Sequence, residues 1–322
     1  MAAKDTTPDT LLGAINYFAD VDVATMFVAG LRWPNGVTCP HCEGKNCPYV
    51  ASRRIWQCKD CRKQFSVKVG SIFEDSPIPL SKWLPAMWLL VNCKNGVSSY
   101  EIAKDIGVTQ KSAWFMMHRL RLAIHAGSFD KMTGEIEADE TFIGGKARNM
   151  HMSKRRKLGI SQSRSMIGKV AVMGLLERHG KDGHSNVRME VVATRKRHQL
   201  EATIVDNVEV GAAVYTDALR SYDRMAQRGY IHNVVDHAES YVDGAIHTNG
   251  LENFWSLLKR ALKGTYVSVE PFHLFRYLDE QAYRFNSRKG TDAGRFLAAC
   301  AKVFGKRLTY NVLTGKAEPQ SA

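Results

Sequence analysis

Three acidic residues stand where a metal-dependent phosphoryl transfer would need them. Asp139 and Asp217 each lie toward the end of an apolar strand pattern, and Glu252 lies in the first turn of a late helix. Carboxylates brought together from two strands and a helix can hold two divalent metals about 4 Å apart. Ligands that are all oxygen favour Mg²⁺, or Mn²⁺ in its place. Lys259 follows Glu252 by two helical turns, so it should share that helical face and could contact a nucleic-acid phosphate.

Two of these assignments have alternatives in neighbouring residues. Glu140 follows Asp139 directly, and strand alternation points only one of the pair toward the site. We prefer Asp139. Asn249 lies one helical turn before Glu252, where it could be a metal ligand or a helix cap.

The elements around these acids alternate in a recognisable order. The patterns predict strands over 135–145, 166–177, 186–194, 212–217 and 230–235, and helices over 197–207, 219–228 and 248–262. Three strands, a helix, a strand, a helix, a strand and a helix form an RNase H-like pattern. We therefore expect a mixed sheet with Asp139 and Asp217 on neighbouring strands.

Two CxxC pairs separated by fifteen residues predict a structural zinc site. They are Cys39 with Cys42 and Cys58 with Cys61. Four thiolates complete a tetrahedral zinc ion and leave no open position for catalysis. Short strand patterns flank the second pair, which fits a zinc ribbon, and redox pairs or free thiols are the alternative. Cys47 has poorer spacing and is interpreted as a spare.

The segment after the ribbon predicts a helix-turn-helix. Ser98 and Glu101 have the spacing of a capping box, Gly107 marks a turn, and Thr109 can cap a second helix. An ordinary helical hairpin is the alternative. If the hairpin binds DNA, bases or phosphates would be contacted from the second helix. The contacting residues would be Gln110, Lys111, Ser112 and Arg119.

A basic segment interrupts the candidate catalytic region. Residues 146–164 hold seven Lys or Arg and no acid, which favours a mobile loop rather than a helix or strand. Such a loop could order on DNA, and a solvated linker is the alternative. The proposed DNA contacts here and on the late helix are Lys154, Arg155, Arg156, Lys157, Lys259 and Arg260.

Composition narrows the class of protein. The chain has 322 residues with 45 Lys and Arg against 32 Asp and Glu, a net charge of +13. A hydrophobic content of 44% excludes a chain disordered throughout. We find no apolar run of membrane-span length and no signal-peptide pattern, which favours a cytoplasmic protein. The basic balance favours a nucleic-acid partner. From Thr141 to His198 there are 14 basic residues against 3 acidic ones, so most of the excess lies beside the candidate site.

Taken together, these motifs resemble the DDE transposases of bacterial insertion sequences, in the subgroup with an N-terminal zinc ribbon. The likeness covers roughly residues 15–290. It is carried by the two cysteine pairs, 138–146, 214–217, 247–260, 264–266 and 283–286. The resemblance implies an RNase H-like core that uses two divalent metals for DNA cleavage and strand transfer. Asp139 and Asp217 match the first two carboxylates, and Glu252 with Lys259 matches the third and its following lysine. Some members of the subgroup use asparagine as the third residue, which keeps Asn249 as the alternative.

We therefore expect a multidomain α+β protein. A zinc ribbon and a helix-turn-helix should precede an α/β catalytic domain of the RNase H-like, retroviral integrase type. The expected segments are 1–35 (N-terminal helical), 36–75 (ribbon), 76–128 (helix-turn-helix), 129–290 (catalytic) and 291–322 (C-terminal helix and tail). The expected partners are terminal inverted repeats, target DNA and further copies of the chain, with no membrane and with association with the nucleoid. The competing functions are a non-catalytic DNA-binding regulator and an RNase H-type nuclease without strand transfer.

Overall fold

The computed structural model describes most of the chain as two compact units. The described residues are 8–125, 130–145, 150–157, 159, 168–180, 183–194, 196–217, 222–235 and 247–318. Unit 1 contains the described residues up to 125 together with those from 287 onward, and unit 2 contains those between 126 and 286. The segment after 287 therefore belongs with the N-terminal helices, a grouping that no local pattern in the sequence indicates.

The helices and strands have the following bounds. The helices are α1 Leu11–Phe18, α2 Val21–Arg32, α3 Leu80–Asn92, α4 Ser99–Ile106, α5 Gln110–Ile124, α6 Met152–Lys157, α7 Arg197–Asn207, α8 Asn249–Ala261, α9 Leu274–Asn286, α10 Asp292–Ala301 and α11 Tyr310–Leu313. The strands are β1 Tyr49–Val50, β2 Ile55–Gln57, β3 Gln64–Phe65, β4 Glu135–Ile143, β5 Val170–Glu177, β6 Asn186–Val192, β7 Ala213–Asp217 and β8 Ile231–Val235.

Aromatic side chains join the two chain segments of unit 1. The ring of Phe296 on α10 lies 5.7 Å from that of Phe18 on α1 and 5.1 Å from that of Trp88 on α3. Phe18 and Phe296 are fully buried, and Trp88 is nearly so. Burying rings of this size is among the larger hydrophobic contributions to a core, so α10 is an integral part of unit 1.

The hairpin of α4 and α5 has the caps expected from its sequence. Ser98 accepts a hydrogen bond from the Glu101 amide, and the Glu101 side chain accepts one from the Ser98 amide, which completes a capping box. Gly107 ends α4 in the left-handed conformation with φ 62°. Thr109 then caps α5 by accepting from the Ser112 amide. The predicted pair of helices and its turn are confirmed as local structure.

Unit 2 is built on a five-stranded mixed sheet in the order β6-β5-β4-β7-β8. β5 is antiparallel to both of its neighbours, β4 and β6, whereas β7 is parallel to β4 and β8 is parallel to β7. Apolar side chains point alternately to the two faces of this sheet, and both faces are buried. Ala138 packs with Leu200 of α7 on one face, and Val172 packs with Leu258 of α8 on the other. β4, which carries Asp139, therefore lies at the centre of the sheet.

Two expectations about local structure need correction. The basic segment was expected to lack a helix, but residues 152–157 form α6, in which Arg155 donates its backbone N–H to the His151 carbonyl. A run of Lys and Arg has good helix propensity, and the absence of acids does not remove it. The helix expected over 219–228 is different in its described part, where residues 222–229 form turns and a short 3₁₀ helix. Residues 146–149, 160–167 and 218–221 lie outside the described residues.

Among the described helices, no single one is long and apolar enough to cross a membrane. α1 and α2 meet that test only when taken as a pair, and the chain bends by 104° between them.

Candidate active site and cysteine cluster

The four predicted zinc ligands converge at one point of the ribbon. The sulfur atoms of Cys39, Cys42, Cys58 and Cys61 all lie within 4.8 Å of one another. Two of the sulfur pairs are separated by 3.7 Å and 3.5 Å. A tetrahedral zinc with Zn–S bonds of about 2.3 Å sets its sulfurs about 3.8 Å apart, so the cluster has the dimensions of a structural zinc site.

Backbone hydrogen bonds favour the thiolate form of one of the four cysteines, Cys58. Hydrogen bonds from the backbone N–H groups of Cys61 and Asp60 lower the pKa of the Cys58 thiol to about 7, which favours the thiolate that binds zinc. Cys47 stands outside the group of four and directs its thiol toward the Gly44 carbonyl at 3.4 Å. The four-cysteine cluster thus supports structural zinc without Cys47.

The first two candidate catalytic carboxylates lie on neighbouring strands. β4 and β7 are parallel, with Glu137 opposite Tyr215 in the register. The pairing of these two strands ends at Glu137 and Tyr215, and Asp139 and Asp217 each lie two residues beyond that pair. The charge of Asp217 contributes to the raised pKa of Asp139, which indicates that the two carboxylates lie near each other. Asp217 is the last residue of β7, so its carboxylate stands where that strand leaves the sheet.

The Asp139 carboxylate is held by two hydrogen bonds in a partly buried position. Its Oδ2 accepts from Trp255 Nε1 at 2.8 Å, and its Oδ1 accepts from the Glu140 amide at 2.8 Å. Burial raises the pKa of Asp139 most, and the charges of Asp217 and Glu252 raise it further, against the lowering effect of the two hydrogen bonds. Carboxylates that disfavour one another's charge attract a cation.

Glu140 points to the opposite face of the sheet. It accepts a hydrogen bond from the hydroxyl of Tyr222, a fully buried residue of the core cluster that contains Ala138. The alternation of β4 therefore separates Glu140 from Asp139, in the way the sequence pattern indicates.

One face of α8 carries the remaining candidate residues. Glu252, Trp255 and Lys259 follow the spacing i, i+3, i+7, and Trp255 contacts Asp139. At 100° per residue, Glu252 and Lys259 lie about 60° and 40° from Trp255 around the helix, whereas Asn249 lies about 120° away. Asn249 is the exposed first residue of α8, so Glu252 is closer to the strand carboxylates in rotation.

Two residues of this region were not singled out by the sequence. Glu137 is 1% exposed and accepts hydrogen bonds from the Leu251 amide at 2.8 Å and from Arg178 Nε at 2.9 Å. Trp255 supplies the indole donor to Asp139. Glu137 lies two residues before Asp139 on β4, so strand alternation places both side chains on the same face of the sheet. That spacing could have identified Glu137 from the sequence.

The donor set at Asp139 fits a hard divalent cation. Each of its oxygens accepts one protein hydrogen bond, which leaves lone pairs for a metal. Within the described part of the chain, only the cysteine cluster has its ligand atoms already converged to the distances of a bound ion.

Comparisons with known proteins find matches in both units of the chain. Residues 131–286 match the family model for the ISXO2-like transposase domain, and residues 22–64 match that for the transposase zinc-ribbon domain. The chain is 28% identical over 257 residues to an uncharacterized protein in transposable element ISH50 of Halobacterium salinarum, which covers 77% of this chain and 85% of the relative. It is 32% identical over 84 residues to an uncharacterized transposase-like protein of Haemophilus influenzae, which covers 26% of this chain and 68% of the relative. The chain belongs to the insertion-sequence transposases with an N-terminal zinc ribbon.

The candidate DNA contacts of the transposase at the start of α5 differ in exposure. Lys111 is exposed, with its ammonium 4.9 Å from the centre of the Tyr310 ring. Gln110 is half-buried and donates to the Ser99 hydroxyl at 3.0 Å, and Ser112 accepts a hydrogen bond from the hydroxyl of Thr109. Lys111 is thus the one cation among these three residues, and its side chain is exposed.

The transposase buries Arg119, contrary to the expectation that this residue contacts phosphates. Arg119 is 5% exposed, and its guanidinium donates to the carbonyls of Ile72, Glu74 and Leu308 at 2.7–3.0 Å. Its guanidinium also lies 4.4 Å from the centre of the Phe115 ring. Because three carbonyls and an aromatic face occupy this cation, its role is to hold unit 1 together.

The candidate DNA contacts of unit 2 lie on two helices, α6 and α8. Arg156 and Lys157 of α6 are exposed and Arg155 is half-buried, while the side chain of Lys154 lies outside the described part of the chain. Arg260 on α8 is exposed, and Lys259 is half-buried on the face that carries Glu252.

Proposed function

We propose that this transposase cleaves DNA at the ends of its insertion sequence and joins those ends to target DNA, with Asp139, Asp217 and Glu252 holding two divalent metal ions. The parallel pairing of β4 with β7, the strands that hold Asp139 and Asp217, carries the proposal. Bound Mg²⁺ or Mn²⁺ would activate the attacking hydroxyl and stabilise the leaving oxygen of an in-line displacement. The sheet order and the helix that carries Glu252 support an RNase H-like catalytic domain.

The protein's own residues divide the remaining work. Asp139 has its carboxylate plane fixed by Trp255 and the Glu140 amide, so it presents its remaining lone pairs in one direction. Lys259 would contact a substrate phosphate from the Glu252 face of α8, where a cation stabilises the charge of the transferred group. Asn249 lies farther around the helix, so it would have a structural role at the start of α8 and would not be a metal ligand.

DNA binding is assigned to cations in both units. In unit 1 the exposed Lys111 at the start of α5 would contact DNA as part of a helix-turn-helix. In unit 2 the basic residues of α6 would contact phosphates, and each contact releases counterions. Replacing Arg156 and Lys157 by Ala should weaken binding to all sequences alike and reduce the salt slope by about one for each phosphate that is no longer neutralised. Lys316→Ala, an exposed position in the last described segment, is the control.

An assay on the element's own terminal DNA tests the catalytic proposal. With Mg²⁺, the wild-type protein should yield nicked ends and joined products, and Asp217→Asn and Glu252→Gln should yield neither. Asn249→Ala should retain activity, and so should Asp206→Asn, an exposed acid on α7. Activity that survives Glu252→Gln but not Asn249→Ala would reassign the third ligand. Cleavage without joined ends would identify a nuclease, and binding without cleavage would identify a regulator.

Joining two DNA ends requires that they be held together, so we propose a multimer on DNA. Light scattering of the complex with terminal DNA should give a mass of at least two chains. A strictly monomeric complex that still forms joined products would contradict the proposal.

A further inference from the structure

The first two turns of α8 are attached to β4 at two points. The Leu251 amide donates to Glu137, and the Trp255 indole donates to Asp139, each at 2.8 Å. The two donors are four residues apart on the helix, and the two acceptors are two residues apart on the strand. Four helical residues rise about 6 Å and two strand residues advance about 6.6 Å, so the backbone spacings of the donor residues and of the acceptor residues are similar.

Both attachments depend on glycines that allow close approach. A Cβ on Gly250 would lie 2.9 Å from Glu137 Oε2, and a Cβ on Gly174 would lie 2.6 Å from the Trp255 ring. Side chains at these positions would push the helix away from the strand or rotate it. The helix therefore sits closer to β4 than residues with side chains would permit.

Glu137 is committed to this attachment and does not serve as a fourth metal ligand. Its carboxylate is 1% exposed, and it accepts from Arg178 Nε at 2.9 Å in addition to the Leu251 amide. His247 Nδ1 lies 3.5 Å from Glu137 Oε1, the oxygen that accepts from Arg178 Nε. The negative charge also lies at the positive end of the α8 dipole, where a carboxylate is favoured.

We infer that Glu137 and Trp255 are positioning residues that fix the translation and rotation of α8, and through it the place of Glu252 relative to Asp139. Two attachments one helical turn apart leave α8 no freedom to slide along β4 or to rotate about its axis. Glu252 lies between the two donors in the chain, so its backbone is the part of α8 most tightly held. The inference rests on the proposed function for its catalytic meaning, since Glu252 is a proposed ligand.

Hydrogen exchange on the full-length, DNA-free protein tests the attachment directly. Glu137→Ala should make the Leu251 amide exchange about ten-fold faster, as loss of one hydrogen bond implies. Glu137→Gln should restore part of the protection, because the glutamine oxygen can still accept from Leu251. Glu190→Gln, an exposed acid on β6, should change nothing. Unchanged exchange in Glu137→Ala, or equally fast exchange across β5 and β6, would overturn the inference.

Cleavage assays on the same variants test the positioning role. Glu137→Ala and Trp255→Phe should bind terminal DNA as the wild type does, yet require more Mn²⁺ for half-maximal cleavage, with Glu137→Gln intermediate. An Mn²⁺ requirement that does not change in either variant would overturn the positioning role. A wild-type protein that cleaves no DNA would overturn the proposed function alone, whereas the exchange measurement decides the attachment in either case.

Discussion

Gly174 offers a sensitive test of how β5, α8 and Asp139 fit together. Gly174 pairs with Asp139 across the β4–β5 ladder, and it lies under the Trp255 indole. In Gly174→Ala the new Cβ would lie 2.6 Å from two Trp255 ring atoms and 3.0 Å from Leu251 Cδ2. Ordinary contact begins near 3.4 Å, so the indole must move by about 1 Å.

That displacement should lower both stability and activity. Overpacking of this kind costs about 1–3 kcal/mol, and the lower chain entropy of alanine offsets about 0.4–1 kcal/mol, so unit 2 should lose about 1–2 kcal/mol. The indole also loses its alignment with Asp139 Oδ2. A misplacement of about 1 Å near reacting groups costs about 100-fold in rate, so cleavage should fall far more than stability does.

Two measurements on one variant decide this prediction. Amide exchange in β5 reports the local free energy, and cleavage of terminal DNA reports the rate. Gly30→Ala in α2 is the control, since nothing lies within 4 Å of a Cβ there and alanine favours a helix. Gly174→Ala with wild-type protection in β5 and wild-type cleavage would refute the described packing of Trp255 against this strand.

Three further predictions follow from charges and ligands. Burial raises the pKa of Asp139, so the ionised carboxylate makes an unfavourable contribution to folding at neutral pH. Without added divalent metal, Asp139→Asn should therefore raise Tm at neutral pH. The gain in Tm should vanish as pH falls through the acidic range, where Asp139 becomes protonated. A lower Tm for Asp139→Asn at neutral pH would contradict this. Metal analysis should find about one zinc per chain in the wild type and none after Cys39 and Cys42 are replaced by Ser. A variant that retains its zinc would show that this cluster is not the zinc site. Arg119→Met should destabilise unit 1 in denaturation by about 1–3 kcal/mol for each buried carbonyl left without its donor; a stable variant with weaker DNA binding would restore the surface role.

Local patterns predicted most of the strands and helices of unit 2, because the alternation or helical spacing of apolar residues reflects which side chains are buried. The exceptions are α6 and the turns at 222–229. α7 has the bounds expected from the sequence, and β7 and β8 begin one residue after their predicted starts. The cap residues Ser98 and Thr109 were predicted equally well, since a cap is a contact between residues three positions apart. The cysteine cluster belongs to the same class, because its spacing is set by zinc geometry.

Contacts between distant segments could not be predicted in this way. Arg119 looks like any basic residue on a helix, and only the fold brings it the carbonyls of Ile72 and Leu308. Glu137 looks like an ordinary charge on a strand until α8 lies across it. The catalytic roles of Asp139, Asp217 and Glu252 remain predictions, as do the DNA contacts of Lys111 and of α6.

Unit 1 is built from two segments that lie far apart in the chain, and this affects how the protein folds during its synthesis. Phe18 and Trp88 leave the ribosome early, but their partner Phe296 is synthesised about two hundred residues after Trp88. At about 5–20 residues per second, that interval is on the order of 10–40 seconds, during which unit 2 can fold on its own contacts. The apolar surface of α1 and α3 is exposed throughout that time. We therefore expect nascent chains that stop before residue 287 to aggregate through unit 1 while their sheet is already formed.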